Sequence, residues 1–191
     1  MSNPRKHIVI FASGAGSNAQ KIIDYFRNTP VSVALIVCNK QGAGVLSIAE
    51  KEKIPTLLIE KERFFKGDGY VSHLQQANAD LIVLAGFLWK IPASIIEAYR
   101  TKIINIHPAL LPAYGGKGMY GEKVHEAVIG AGELQTGITI HYVDEQYDRG
   151  DIIFQTACPV MEGDTPETLA KRVHQLEHLH YPVVIADLLG S

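Results

Sequence analysis

The sequence predicts an α/β fold with an open, mainly parallel, twisted sheet that carries helices on both faces. Short continuous apolar runs, such as residues 7–12 and 81–85, are typical of strands buried on both faces. These runs alternate with segments in which apolar residues recur at helical spacing. Strands joined through helices pair in parallel, and the crossover connections between them are right-handed.

Five strands and four helices are predicted up to residue 106. The strands are residues 7–12, 31–38, 56–59, 81–85 and 103–106. The first helix contains Ile22, Ile23 and Phe26, and the others cover residues 45–53, 70–77 and 92–99. Pro92 suits the first turn of its helix, where a missing N–H costs no hydrogen bond.

The remainder of the chain has a different pattern. A helix is predicted at residues 120–129, and strands are predicted at 137–143 and 152–157. The connection between these strands is too short for a crossover helix, so we expect antiparallel pairing near the C-terminal end. Residues 164–167 predict the start of a last helix, whose apolar stripe would contain Leu169, Val173, Leu176, Leu179 and His180. Because no Pro-, Gly- or Ser-rich linker interrupts the chain, residues 1–191 are interpreted as a single domain.

The composition favours a cytoplasmic protein that acts on small molecules. The net charge of −2 and the lack of long charged blocks give no electrostatic support for binding to nucleic acid or a membrane surface. No apolar run approaches the roughly 20 residues of a membrane span, and residues 1–7 are unlike a signal peptide. Cys38 and Cys158 lie in or beside predicted strands, which indicates a reducing compartment. Either a monomer or a homodimer is compatible with this composition.

The most informative segment is the strand that ends with Asn105, Ile106, His107 and Pro108. Alternation in a strand places the amide of Asn105 and the imidazole of His107 on the same face. Pro108 ends the hydrogen-bonded ladder because it has no N–H. Ligands of open α/β sheets bind at the carboxyl ends of strands, so this pair suits a reaction that develops an oxyanion and moves a proton. The sharp turn expected after the strand makes Leu111–Pro112 a candidate cis peptide.

Asp148 is a third candidate for this site. It lies in the polar loop between the two late strands, where four acidic residues fall within eight positions. The alternative is therefore an ordinary acidic turn residue. If Asp148 contacts His107, its charge should hold the ring and raise the pKa of the imidazole.

Residues 13–18, Ser-Gly-Ala-Gly-Ser-Asn, form a glycine-rich loop between the first strand and the first helix. Small residues there let backbone N–H groups approach a phosphate at the positive end of the helix. The loop lacks the third glycine of a dinucleotide fingerprint and the Gly-Lys-Ser/Thr of a Walker loop. A single phosphate on a mononucleotide-like substrate therefore fits better than a pyrophosphate. The alternative is a tight turn with an Asn or Ser cap.

The sequence predicts no metal site. His174 and His178 have the i,i+4 spacing that can chelate zinc, but no His-Glu-x-x-His arrangement accompanies them. No Gly-x-Ser-x-Gly elbow is present, and neither cysteine has the context of a nucleophile.

Four segments together resemble the folate-dependent formyltransferases, and most specifically glycinamide ribonucleotide formyltransferase. They are residues 13–18, residues 84–87 (Leu-Ala-Gly-Phe), residues 105–112, and residues 141–144 (His-Tyr-Val-Asp) followed by Asp148 and Gly150. The resemblance implies a Rossmann-like formyltransferase fold. It also implies transfer of a formyl group from 10-formyltetrahydrofolate to the amine of 5′-phosphoribosylglycinamide in purine biosynthesis.

The resemblance also implies roles for individual residues. Asn105 would bind the formyl oxygen, His107 would act as acid and base, and Asp148 would orient His107 and a water. The ribonucleotide would be bound by Gly16, Ser17, Asn18, Pro108 and Glu177. For Glu177, a solvated helix face is the alternative. The folate would be bound by Arg63, Leu88, Trp89, Lys90, Ile91, Asn105, Val143 and Asp144.

Two segments depart from the pattern of this family. Common members have Met-Arg after the Gly-Phe pair, whereas this chain has Leu88-Trp89-Lys90. Residues 115–121 are glycine-rich where the common pattern has Pro-Gly, and they form a candidate mobile loop over the site. His125, which follows this loop, is interpreted as non-catalytic.

Related activities remain as alternatives. The resemblance extends to methionyl-tRNA and sugar-nucleotide formyltransferases and to formyltetrahydrofolate hydrolase. Those proteins carry additional domains, for which a chain of 191 residues leaves no room. A nucleotide-binding module without catalysis is least favoured, because it would not need Asn105, His107 and Asp148 together.

Overall fold

The computed structural model describes residues 5–66 and 70–190, so the start of the polar N-terminal segment lies outside it. Its strands are β1 (Lys6–Ala12), β2 (Val31–Cys38), β3 (Thr56–Leu58), β4 (Leu81–Leu84), β5 (Ile103–His107), β6 (Gln135–Tyr142) and β7 (Ile152–Pro159). Its helices are α1 (Ser17–Phe26), α2 (Gly44–Glu52), α3 (Lys61–Phe65), α4 (Val71–Gln76), α5 (Ala93–Ala98), α6 (Glu122–Gly130) and α7 (Pro166–Leu189). The predicted elements are all present, with bounds shifted by a few residues, and α3 was not predicted.

The described strands form one sheet in the order β3-β2-β1-β4-β5-β6-β7. Strands β1 to β5 pair in parallel, whereas β6 is antiparallel to both β5 and β7. This arrangement confirms the predicted fold class. After β1 the chain continues to β2 on one side of β1, and it later forms β4 on the other side of β1. The connections that follow β1 and β4 therefore diverge, and a crevice opens at the carboxyl ends of these two strands. Such a switch point is where open α/β sheets bind ligands.

Apolar side chains fill a layer on each face of the sheet. Along β1, Ile8 and Ile10 contribute to one layer, which α1, α2, α6 and α7 cover. Val9 and Phe11 contribute to the other layer, which α3, α4 and α5 cover. Burial of an aliphatic side chain of this size stabilises the fold by about 2 kcal/mol relative to exposure. Both layers together hold the strand ends that carry the candidate site.

Helix α7 differs from its predicted apolar stripe. Leu179 was expected in the core but is 63% exposed, whereas Glu177 is only 5% exposed. The buried residues Leu169, Val173, Glu177 and Tyr181 follow an i,i+4 row, and this row places position 179 on the opposite face. The helix begins as predicted with a capping box, in which Thr165 is the N-cap.

Two further findings concern the sequence predictions. The Leu111–Pro112 peptide is cis, as predicted. No helix within residues 5–66 and 70–190 is long and apolar enough to cross a membrane.

Candidate active site

A cavity of about 620 Å³ lies at the carboxyl ends of β1, β4 and β5. The predicted site residues that line it are Gly16, Ser17, Asn18, Leu88, Trp89, Lys90, Ile91, Asn105, His107, Pro108, Val143, Asp144, Asp148 and Glu177. Arg63 is the exception among the predicted residues. Its guanidinium lies 4.8 Å from the centre of the Tyr70 ring, and its role towards folate stays a prediction.

His107 and Asp148 lie close together in the lining of this cavity. His107 is the last residue of β5, and its Nδ1 lies 3.7 Å from Oδ2 of Asp148. This separation is suitable for an ion pair but is longer than a hydrogen bond. Asp148 has a φ of +52°, a left-handed conformation that Asp tolerates better than most residues, and this turn directs the carboxylate inwards. The long-range contact that would distinguish Asp148 from an ordinary turn residue is therefore present.

The hydrogen bonds of His107 fix which ring nitrogen carries the proton in the neutral state. Nε2 lies 2.7 Å from the backbone carbonyl oxygen of Tyr114. Because a carbonyl oxygen can only accept, Nε2 must be the protonated nitrogen and the donor. The lone pair of neutral His107 is consequently on Nδ1, which faces Asp148.

The Asp148 charge raises the pKa of His107 as expected, but the net shift is downward because the ring is buried. Burial, together with the charge of His141, lowers the pKa of His107 by more than the Asp148 charge and the Tyr114 carbonyl raise it, so the pKa lies below its ordinary value of 6.5. The imidazole is therefore mainly neutral at pH 7. A negative charge that develops beside it would favour uptake of a proton.

Asp148 is held in its ionised form. Burial raises its pKa, but the contact with His141, the charge of His107 and a hydrogen bond from the Gly116 N–H outweigh burial. The net effect is a pKa below the ordinary carboxyl value. The Gly116 nitrogen lies 2.9 Å from Oδ2 of Asp148.

His141 is a member of this site to which the sequence analysis gave no role. Its Nδ1 lies 2.8 Å from the carbonyl oxygen of Tyr142 and therefore carries the proton of the neutral ring. Its Nε2 accepts from Nδ2 of Asn105 at 3.1 Å and lies 3.6 Å from Oδ1 of Asp148. One N–H of the Asn105 amide thus holds the side chain in place, and the second can be donated to a substrate oxygen. The contact follows from the antiparallel register of β5 and β6, in which Asn105 lies opposite His141, and the sequence alone does not show this register.

Buried hydrogen bonds fix the turn that follows His107. The Thr139 hydroxyl donates to the carbonyl oxygen of Ala109 at 2.7 Å and accepts from the Leu111 N–H at 2.9 Å. Nε2 of Gln155 donates to the Leu111 carbonyl oxygen at 2.9 Å. These contacts link the turn to β6 and β7, and they hold Pro108 against the cavity.

The glycine loop forms one end of the cavity. Gly16 has a φ of +82°, and a Cβ there would lie 2.8 Å from Cβ of Val45, so only glycine fits. No side chain of the described residues caps α1 at Gly16. The alternative of a simple capped turn is therefore not what the structure contains. The first-turn N–H groups of α1 at Ser17 and Asn18 are positioned for an anion.

Glu177 closes this end of the cavity. Its carboxylate accepts from Nδ2 of Asn18 at 2.8 Å, and burial raises its pKa above the ordinary value in spite of that hydrogen bond and the charge of His174. The alternative of a solvated helix face is wrong, since Glu177 is buried. Oδ1 of Asn18 is also buried and has no hydrogen-bond partner among the described residues. This wall offers polar groups to a ligand with hydroxyl groups.

The opposite end is apolar and aromatic. Trp89 packs with Phe64, Phe65 and Phe87 at centroid distances of 5.7, 5.7 and 6.4 Å. Nζ of Lys90 lies 5.7 Å from the centre of the Tyr147 ring. A flat heteroaromatic ligand would find stacking surfaces here.

The described residues contain no group of three or more His, Cys, Asp or Glu side chains that could hold a metal ion. The rings of His174 and His178, which have the spacing for zinc, are stacked with centroids 6.3 Å apart.

His125 provides a test of the electrostatics around the cavity. It is 2% exposed, and burial, together with the charges of His174 and His107, lowers its pKa from 6.5 to about 4. The fold thus favours neutral His125. The contribution of neutral His125 to the free energy of unfolding is complete above pH 6.5, the pKa of histidine in the unfolded chain. It is lost as the pH falls towards 4, the pKa in the folded protein.

We expect His125→Gln to lose less stability on acidification than the wild type. The difference should be about 2 to 3 kcal/mol between about pH 7.5 and about pH 4.5. Urea unfolding at both pH values measures it, and His73→Gln, on α4 outside the cavity, is the control. Equal acid losses in wild type and His125→Gln would contradict this prediction.

Comparison with known proteins identifies the family. The family profile described as formyl transferase matches residues 6–185. The chain is 44% identical to the chloroplastic phosphoribosylglycinamide formyltransferase of Arabidopsis thaliana, over 96% of this chain but only 65% of that protein. It is 41% identical to the phosphoribosylglycinamide formyltransferase of Bacillus subtilis strain 168, over 97% of this chain and 95% of that protein. The crystal structure of phosphoribosylglycinamide formyltransferase from Bacillus halodurans superposes with a TM-score of 0.88 at 37% identity, over 96% and 95% of the two chains. This chain belongs to the formyl transferase family.

Proposed function

We propose that this protein transfers the formyl group of 10-formyltetrahydrofolate to the primary amine of 5′-phosphoribosylglycinamide. The observation that carries this proposal is that Asn105, His107 and Asp148 line one cavity that has two unlike ends, with Asn105 and Asp148 both in contact with His141. The end at residues 16–18 suits the phosphate and ribose, and the aromatic end suits a pterin. The names of the Arabidopsis and Bacillus relatives, phosphoribosylglycinamide formyltransferase, support the same formyl acceptor.

The reaction balances with the two substrates alone and needs no further reagent. The neutral glycinamide amine attacks the formyl carbon, and the second N–H of Asn105 donates to the oxygen that becomes negative. Neutral His107 takes up a proton as this charge develops, because the burial that disfavours its cation is then offset by a nearby anion. The C–N10 bond breaks, and the proton lost by the amine reaches N10 through His107 and a water that the ionised Asp148 orients. The products are the formylated glycinamide ribonucleotide and tetrahydrofolate.

A two-substrate assay tests the proposal. The protein is incubated with phosphoribosylglycinamide and 10-formyl-5,8-dideazafolate, and the deformylated folate is followed by absorbance. We expect product only when both substrates are present. Formate release without the ribonucleotide would indicate the hydrolase, and no reaction under either condition would favour a non-catalytic module.

Glu177→Ala should weaken binding of the ribonucleotide selectively. Removal of a buried hydrogen-bonding carboxylate costs about 1.5 to 3 kcal/mol, which corresponds to a roughly 10- to 100-fold rise in KM for phosphoribosylglycinamide. The KM for the folate should change little, since Glu177 lies at the other end of the cavity. Steady-state kinetics measure both constants, with Glu167→Ala on the exposed side of α7 as the control. A parallel rise in both KM values would contradict the assignment of Glu177 to the ribonucleotide end.

We also propose a cytoplasmic location, on the basis of composition and the two unpaired cysteines. Among its relatives the Arabidopsis protein is named as chloroplastic. The choice between monomer and homodimer is an open prediction, which sedimentation equilibrium would decide.

A further inference from the structure

We propose that residues 114–116 are a positioning strap for the reacting pair, and that they act through backbone groups. The carbonyl oxygen of Tyr114 holds the His107 ring, and the N–H of Gly116 holds the Asp148 carboxylate. The inference rests on the proposed function, because it assigns the strap to the same His107–Asp148 pair.

The distances show why a strap is needed. His107 and Asp148 are 3.7 Å apart at their nearest atoms, which is too long for a direct hydrogen bond. Each has a shorter contact to the strap, at 2.7 Å for His107 and 2.9 Å for Asp148. The two strap groups are separated by one residue, so the orientation of one reacting side chain is tied to that of the other.

The strap requires an uncommon backbone conformation. Tyr114 has a φ of +55° and Gly116 has a φ of +97°. A left-handed residue with a Cβ costs roughly 1 to 2 kcal/mol, and such costs are most often retained where function requires the geometry. A Cβ at Gly116 would have no described atom within 4 Å, so glycine is needed there for its conformation and not for lack of space.

The strap also determines which nitrogen of His107 is basic. With Nε2–H donated to Tyr114, Nδ1 is the nitrogen that can receive a proton beside Asp148. If the strap moved, Nδ1–H could donate to the Asp148 carboxylate and Nε2 would become the basic nitrogen. The strap therefore selects the tautomer, in addition to positioning the ring.

Gly116→Ala tests the strap, with Gly163→Ala as a matched control. Gly163 has a φ of +80° and an equally open surrounding among the described atoms, so the substitution has a similar backbone cost outside the cavity. We expect Gly116→Ala to lower kcat at least about tenfold with little change in either KM, which is the signature of an effect confined to the transition state. Gly163→Ala should keep the wild-type kcat.

Side-chain ¹⁵N NMR of His107 supplies a readout that needs no substrate. The signal is assigned by its loss in His107→Asn, and neutral wild-type His107 should carry its proton on Nε2. Gly116→Ala should populate the Nδ1–H tautomer, and Gly116→Asn should retain more of the Nε2–H form, because Asn tolerates a left-handed φ. An Nδ1–H ring in the wild type would overturn the proposal even if no variant folds. Wild-type kcat and tautomer in Gly116→Ala would also overturn it. The NMR result is independent of the two-substrate assay, so a wrong substrate assignment leaves this test intact.

Discussion

Replacement of His107 by asparagine is expected to lower kcat by about 100- to 1000-fold while leaving both KM values nearly unchanged. Asparagine has no group that titrates near neutral pH, so it cannot take up the proton that the developing oxyanion favours. The loss corresponds to about 2.7 to 4 kcal/mol of transition-state stabilisation. Substrate binding should persist, since the glycine-loop end and the aromatic end of the cavity do not involve His107.

The measurement combines steady-state kinetics with thermal unfolding. His73→Asn makes the same replacement on α4, outside the cavity, and should preserve kcat. A folded His107→Asn protein with near-normal turnover would remove His107 from the mechanism. A large rise in KM at constant kcat would instead make it a binding residue.

The fold was predictable because its signals are local. Continuous apolar runs reveal strands that are buried on both faces, and their alternation with helices fixes parallel crossovers. Short elements are less visible: α3 spans only Lys61–Phe65, too few residues for a clear periodic pattern. On α7, apolar spacing alone placed Leu179 in the core, because the sequence does not show that Glu177 takes a buried position in that row.

The site was predictable where strand geometry determines it. Asn105 and His107 share a face of β5 by simple alternation, whereas the contact of His107 with Asp148 depends on how β6 and the following loop return to β5. The position of His141 beside Asn105 depends on the same packing of β6 against β5. The Tyr114 carbonyl and the Gly116 N–H leave no signal in the side-chain pattern, since every residue has these groups except that proline lacks the N–H. The net lowering of the His107 pKa was not predicted for a related reason: the expected effect of Asp148 is present, but the larger effect of burial is a property of the folded chain.

Asp148→Asn is expected to reduce kcat by about 100- to 1000-fold through loss of charge alone. Asparagine has nearly the same shape as aspartate and tolerates the φ of +52°, so the loop should keep its conformation. Without the carboxylate, the charge that raises the pKa of His107 is absent, and the ring should titrate at a lower pH than in the wild type. Kinetics and ¹⁵N NMR titration of His107 measure these effects. Asp151→Asn, on the exposed surface of the same loop, is the control.

The double variant His107→Asn/Asp148→Asn shows whether the two residues act as one catalytic unit or contribute to kcat independently. If the pair acts as a unit, its kcat should be close to that of the more damaged single variant, because the second replacement removes a group that has already lost its partner. Independent contributions would multiply instead, giving a loss of roughly 10⁴- to 10⁶-fold. Because the two side chains are joined through the strap and lie 3.7 Å apart at Nδ1 of His107 and Oδ2 of Asp148, the structure favours the unit. A multiplicative loss would show that Asp148 acts on the substrate without His107.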